Sequence, residues 1–475
     1  MMCSPMIQKD IINACAKETI KVIIEDLDGN FFGILVDESK DISHKEQMTF
    51  VLRYVNKEGE VIERFVGIIH VNDTSAQSLK KKIDSFLLYH SLSSSQIRRK
   101  DYDGASNMQG ELRGLKTLIM NETPLAHCIH YFAHQLQLTL VALVVKHSDV
   151  NDFFCIVTNV LNIVGASFKR RDLLRQYQAE KLEELLISGE VYTGRGLNQE
   201  RGLQRPVLMM TNDLSSSLQR MDQDIVNSMG LLTHTKQRLQ TTRNSEFESL
   251  MVDVSSFCDK HEILIPKMDA RYFPGKSKRR ALDVTYSHHL HFEIFNDVID
   301  LHLQELNSHF DDVSTDLLLS MASLNPLNSF GNFDKNRIMK LAEYYLNEFD
   351  SNKLRDLSCQ LDSFIVYARS RDKRFFNMKG IGDISKVLVK SDLHQTWPLV
   401  YLLIKLTLIL TVATASVERA FSSMNYIKHE FRNNIGDEFL NSCLVCYVEH
   451  KIFSTVNNDA IIHRFQHMKS RRSQL

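Results

Sequence analysis

The sequence predicts an α/β domain built on a mixed sheet, interrupted by a long, mostly α-helical region. Three observations carry that expectation. Short β-rich runs alternate with helical patterns over about the first 150 residues. From about 150 to 390 strand signals become few and helical periodicity dominates. A last apolar helical block then runs from 395 to about 455. A chain of 475 residues is also too long for one ordinary domain.

The elements follow in order. Ile11, Ile12, Ala14, Cys15, Ile20 and Val22 recur at helical spacing over 5–27, and Asp28-Gly29-Asn30 closes that helix. FFGILV (31–36) is a short apolar run bounded by turn signals, which suits a central strand ending at Asp37. MTFVLRYV (48–55) and VIERFVGIIHV (61–71) flank a Gly59 turn and read as a hairpin. Thr74 or Ser75 can cap a helix whose face is Ala76, Leu79, Ile83, Phe86 and Leu87. The Asp103 turn, DYDGASNM, comes next, followed by a helix carrying Leu112, Leu115, Leu118 and Ile119. CIHYFAHQLQLTLVALVV (128–145) begins like a strand and continues like a helix. The expected division is a helix at 1–28, the first part of the core at 29–150 and a helical insertion at 151–394. A C-terminal region at 395–455 and a polar, basic tail at 456–475 complete it.

Composition narrows the function. The net charge of −1 excludes a polycation, so contacts to nucleic acid fall to local basic runs. These are Arg98-Arg99-Lys100, Lys169-Arg170-Arg171, Lys276–Arg280 and Arg471-Arg472. Each reads as a solvated face; together they could contact phosphates. Eight irregularly spaced cysteines and a polar N-terminus predict free thiols in a reduced, intracellular protein. The most apolar stretch, WPLVYLLIKLTLILTVATA, is broken by Lys405 and is expected to be a buried helix rather than a membrane span.

Three acidic residues are candidates for chemistry. Asp37 and Asp103 each follow a strand, and carboxylates at neighbouring strand ends can converge on metal ions. Asp103-Gly104 is equally ordinary turn chemistry. In ATASVERAFSSM (413–424), Val417, Ala420, Phe421 and Met424 share a helical face and Glu418 lies beside it. Glu418 reads there as a third carboxylate or as the partner of Arg419 in an ion pair.

LVDESKD (35–41), YDGASNMQGELRGLK (102–116), FAHQLQL (132–138) and ATASVERAFSSMNYIKHEFRNNIGDEFLNSCLVCYVEHKIF together resemble the hAT transposase superfamily. They are most similar to plant TTF-type or MYM-type zinc-finger proteins with a C-terminal dimerisation region. The resemblance covers nearly the whole chain. It implies an RNase H-like core, an acidic triad of Asp37, Asp103 and Glu418, and two Mg²⁺ or Mn²⁺ ions held by that triad. His134 and Arg419 match motif positions near that site. It also implies nuclear localisation, with Lys276–Arg280 as the import signal, DNA as a partner, and a homodimer or higher homo-oligomer. The dimerising face would be Leu399, Leu402, Leu403, Leu406 and Leu410, whose other reading is closure of the chain's own core.

The sequence also departs from that family. No CxxC or HxxxH cluster stands ahead of Asp37, so specific recognition of transposon ends is not expected. Tyr131 occupies the place of a cysteine, with Cys128 three residues further back. The insertion looks shortened near 206–207: LQRPVLMMTND passes directly into a helix where the family has an Arg-Trp motif. The only tryptophan, Trp397, lies far from there. The expectation is a domesticated or degenerate relative, not competent for transposition. An active DNA nicking or strand-transfer enzyme and a protein-binding scaffold are the alternatives. No zinc is expected: Cys443 and Cys446 form a CxxC inside a helical run, and His288, His289 and His291 lack a suitably spaced acidic or thiol partner.

Overall fold

Four strands form one mixed sheet in the order β3-β2-β1-β4 in the computed structural model: β1 (Phe32–Lys40), β2 (Glu46–Val55), β3 (Val61–His70) and β4 (Ile97–Asp101). Strand β1 pairs antiparallel with β2 and parallel with β4, and β2 pairs antiparallel with β3. The structure describes residues 4–101, 118, 132–187, 206–218, 225–273, 284–310, 316–370, 373–410, 415–429 and 432–469.

Local chemistry explains the start of the fold. Helix α1 (Pro5–Leu27) opens on a proline, whose missing N–H is not needed in a first turn. It ends where Asp28 and Gly29 adopt left-handed backbone angles. The β2–β3 hairpin turns on Gly59 at φ +75°, and a Cβ there would fall 2.7 Å from the Ser385 carbonyl oxygen. Asn56 Oδ1 accepts the Glu58 and Glu60 N–H groups across that turn. Helix α2 (Ala76–Tyr89) follows Ser75 and buries Leu79, Ile83, Phe86 and Leu87.

The remaining long helices are α3 (Phe132–Lys146), α4 (Ser148–Gly165), α5 (Phe168–Ile187), α6 (Pro206–Leu218), α7 (Ile225–Ser245), α8 (Phe247–Lys260), α9 (Asp297–His309), α10 (Asp316–Ala322), α11 (Lys335–Glu343), α12 (Ser351–Arg369), α13 (Ile381–Lys390), α14 (Pro398–Ile409), α15 (Ala415–Ile427), α16 (Asp437–Val448) and α17 (Asn458–His467). The chain divides into two units. One comprises Met1–Gln135, Ser216–Gly230 and Asp312–Leu475; the other Leu136–Ser215 and Leu231–Asp311. The helices from 316 to 390, grouped with the insertion on periodicity, therefore join the sheet unit.

The sheet is buried on both faces, so its strands carry near-continuous apolar runs rather than alternation. On one face the rings of Phe50 (β2) and Phe86 (α2) stack at 4.0 Å, and the Tyr54 hydroxyl donates to Asp26 of α1 at 2.6 Å. On the other face lie α14 and α15. There Arg53 Nε donates to the Leu408 carbonyl, and Val417, Ala420 and Met424 join the sheet core. The segment 456–475, read as a polar tail, contains α17. It is held to α1 by an Arg464–Glu18 ion pair and by Lys469 Nζ, which donates to Asp10 at 2.9 Å. Among the described residues no single helix is long and apolar enough to cross a membrane.

Candidate functional site

The strand register fixes where Asp37 stands. Directly paired residues of antiparallel strands project to the same face. Asp37 is paired with Thr49, and Leu35 with Val51 and Gly33 with Arg53 along the same row. Asp37 therefore shares the face of Arg53, which α14 and α15 cover. Its Oδ1 accepts the Glu38 N–H at 2.8 Å, and the residue is half-buried. Strand β4 runs parallel to β1, with Asp101 level with Leu35. Asp103 is two residues further along the chain and lies outside the described residues, as do Cys128, Tyr131 and Lys276–Arg280.

Glu418 sits in the first turn of α15 and is exposed, while Val417 and Ala420 beside it are buried. Both ends of α15 are fastened to the sheet by buried charge. At the N-terminal end, Arg53 Nη1 donates to Glu63 at 2.8 Å, with both side chains 4% exposed. The other Glu63 oxygen accepts from Ser416 Oγ, which in turn accepts from Arg419 Nη2 at 2.8 Å. At the C-terminal end, Lys428 Nζ meets Asp41 Oδ2 at 2.7 Å, with side-chain exposures of 1% and 0%. Ser43, Gln47 and the Lys45 N–H complete the Asp41 shell. Burial alone would raise the Asp41 carboxyl. The hydrogen bonds from Lys428, Ser43, Gln47 and Lys45 outweigh it and hold the group well below the usual carboxylate range.

These two networks escaped the sequence reading, yet each left a trace. Lys428, one residue past the end of α15, falls four residues after the buried Met424. Arg53 stands as a charge between Leu52 and Tyr54 in the buried run of β2.

Other expected features have structural roles. Leu403, Leu406 and Leu410 are buried in the chain's own core, and Leu399 and Leu402 are half-buried. Trp397 is buried beside Phe364 and Tyr367, and its Nε1 donates to Ser363 Oγ at 2.9 Å. Arg98 was expected on a solvated face. It is buried, ion-paired with Glu348, and lies over the Phe31 ring. His289 stacks on Tyr272 and pairs with Glu293, and His291 stacks on Phe247. Burial raises the thiols of Cys443 and Cys446, the latter to about 12. The described cysteines are free. His134 lies in the first turn of α3.

No group of three metal-ligating side chains converges among the described residues. The donor chemistry of Asp37 and Glu418 is nonetheless all carboxylate oxygen, which suits Mg²⁺ or Mn²⁺ and disfavours zinc.

Residues 1–114 match a protein family described as the ZMYM1/FAM200 RNase-like domain, DUF4371. That span takes in α1, β1 to β3, α2 and β4. At this coarse level the match fits a transposase-derived protein with an RNase-like domain, and the mixed four-stranded sheet is compatible with it.

Proposed function

We propose that this is a domesticated protein of hAT transposase descent. Its RNase H-like core keeps a divalent-metal site at Asp37, Asp103 and Glu418, binds DNA and self-associates, without carrying out transposition. One observation supports this reading above the others. The register sets Asp37 on the sheet face that α15 covers, and α15 bears Glu418.

Asp37, Asp103 and Glu418 would hold the metal. When bound, the ion supplies activation of water and charge stabilisation at a phosphodiester. The protein's own contribution is positional. The Arg53–Glu63–Ser416–Arg419 network fixes the first turn of α15, and the Asp41–Lys428 pair fixes its end. Loss of transposition is supported by Trp397, the only tryptophan, which is engaged in core packing.

DNA binding and light scattering test this reading together. A fluorescein-labelled duplex is expected to bind more weakly as salt rises. The protein is expected to scatter as a dimer or larger, and Mn²⁺ to yield no strand-transfer product. No affinity for the duplex at low salt, or a monomer at micromolar concentration, contradicts the proposal. Mn²⁺-dependent plasmid nicking that is lost in Asp103→Asn reassigns the protein as an active nuclease.

A further inference from the structure

On the sheet face away from α15, helices α1 and α2 flank an open groove of about 1100 Å³. Its apolar lining comes from Ile20 and Ile24 of α1, Phe86 and Tyr89 of α2, and Ile69 of β3. The helical contributions recur at three- and four-residue spacing, so each helix presents one stripe to the opening. The volume exceeds the roughly 300–1000 Å³ of small-molecule pockets.

The rim is charged. Lys17 and Lys21 line one wall and Lys81 and Lys82 the other. Two acids also line the groove. Glu25 lies 3.8 Å from Lys21, and Glu438 accepts from Asn13. Arg464 is paired with Glu18. Four lysines against two carboxylates leave a cationic rim over an apolar floor.

The edge of β3 bears on the kind of occupant. Its Ile68 N–H already donates to Asn441 Oδ1 at 2.8 Å, and its Phe65 N–H donates to Glu449 at 2.7 Å. Gly67 makes room for this arrangement, since a Cβ there would lie 2.9 Å from Asn441 Oδ1. Adding a strand would require breaking those bonds, so the occupant enters by its side chains instead.

We propose that this groove binds an acidic, amphipathic helix of a partner protein. Apolar residues at helical spacing fill the floor, and flanking carboxylates face the lysine rim. The apolar floor favours such a helix over nucleic acid, which would use the lysines alone. The inference is independent of the proposed metal site, whose Asp37 lies on the other face.

The test uses a fluorescein-labelled synthetic helix of about 16 residues, with leucines at i, i+3, i+4 and i+7 and glutamates elsewhere. The full chain is expected to bind it, and a scrambled peptide of the same composition much more weakly. The Lys17→Glu/Lys82→Glu variant is expected to bind about tenfold more weakly and to regain affinity for a probe carrying lysines in place of glutamates. Tyr89→Ser, at a side chain 67% exposed, is expected to lower affinity several-fold while leaving the melting temperature unchanged. Equal binding of the scrambled peptide, no binding of either peptide, or unchanged affinity in the double variant overturns the proposal. So does displacement of the peptide by duplex DNA whose own binding is lost in the same double variant.

Discussion

Replacing Lys428 with methionine leaves the Asp41 carboxylate buried without its cation. The pair is almost wholly inaccessible, with side chains 1% and 0% exposed at 2.7 Å. Breaking one partner of such a pair costs about 3–5 kcal/mol, because the remaining charge is uncompensated. Trp397, the only tryptophan, lies in the same unit as Lys428, so its fluorescence follows the unfolding of that unit. With a urea slope of about 3 kcal/mol/M, the midpoint falls by about 1 M or more. Changing Asp41 to asparagine in the same chain removes the stranded charge, and that double variant is expected to recover at least half of the loss. The effect also depends on pH. The folded carboxyl lies below its unfolded value of about 3.9, so the stabilisation is present above that pH and is lost as pH falls further. The difference between parent and Lys428→Met therefore narrows in acid. A midpoint shift below about 0.3 M, or a double variant no better than the single one, refutes the reasoning.

Glu63→Ala strands the Arg53 guanidinium, also 4% exposed, and is expected to destabilise the same unit by about 3–5 kcal/mol in the fluorescence assay. Gly67→Ala displaces the Asn441 carbonyl that accepts the Ile68 N–H. Its expected cost is about 1–3 kcal/mol by urea unfolding, with little further loss when combined with Asn441→Ala. Burial lowers His302 to about 4, so below the unfolded value of about 6.5 the unfolded chain takes up a proton that the fold does not. Stability of the unit carrying α9 should fall between pH 6.5 and 4 by up to about 3 kcal/mol, and His302→Asn should flatten that slope in circular-dichroism melts.

Much of the sheet domain was legible because local pattern and tertiary role agree there. FFGILV is buried on both faces and reads as a strand, and the Gly59 turn places β2 and β3 in one hairpin. Asp37 stood out as the first charge after an apolar run. The fastenings of α15 were not legible. Asp41 and Lys428 are brought together by sheet register and helix docking across most of the chain, and no local period encodes that meeting. Helical patterns marked 150–390 as mostly helical without picking out individual helices between 316 and 390, and they carried no information about which core those helices join. Helix α17 was read as a tail because ion pairs with α1 contribute to holding it, and its polar sequence shows only a weak apolar stripe.

Thermal melting with and without Mn²⁺, beside Asp37→Asn and Glu418→Gln, tests the proposed metal site. A ligand that binds only the folded state raises the midpoint. If Asp37 and Glu418 hold the metal, the parent's midpoint rises with Mn²⁺, both variants lose that rise, and their melting without metal stays unchanged. A parent indifferent to Mn²⁺, or a rise that survives both substitutions, contradicts it.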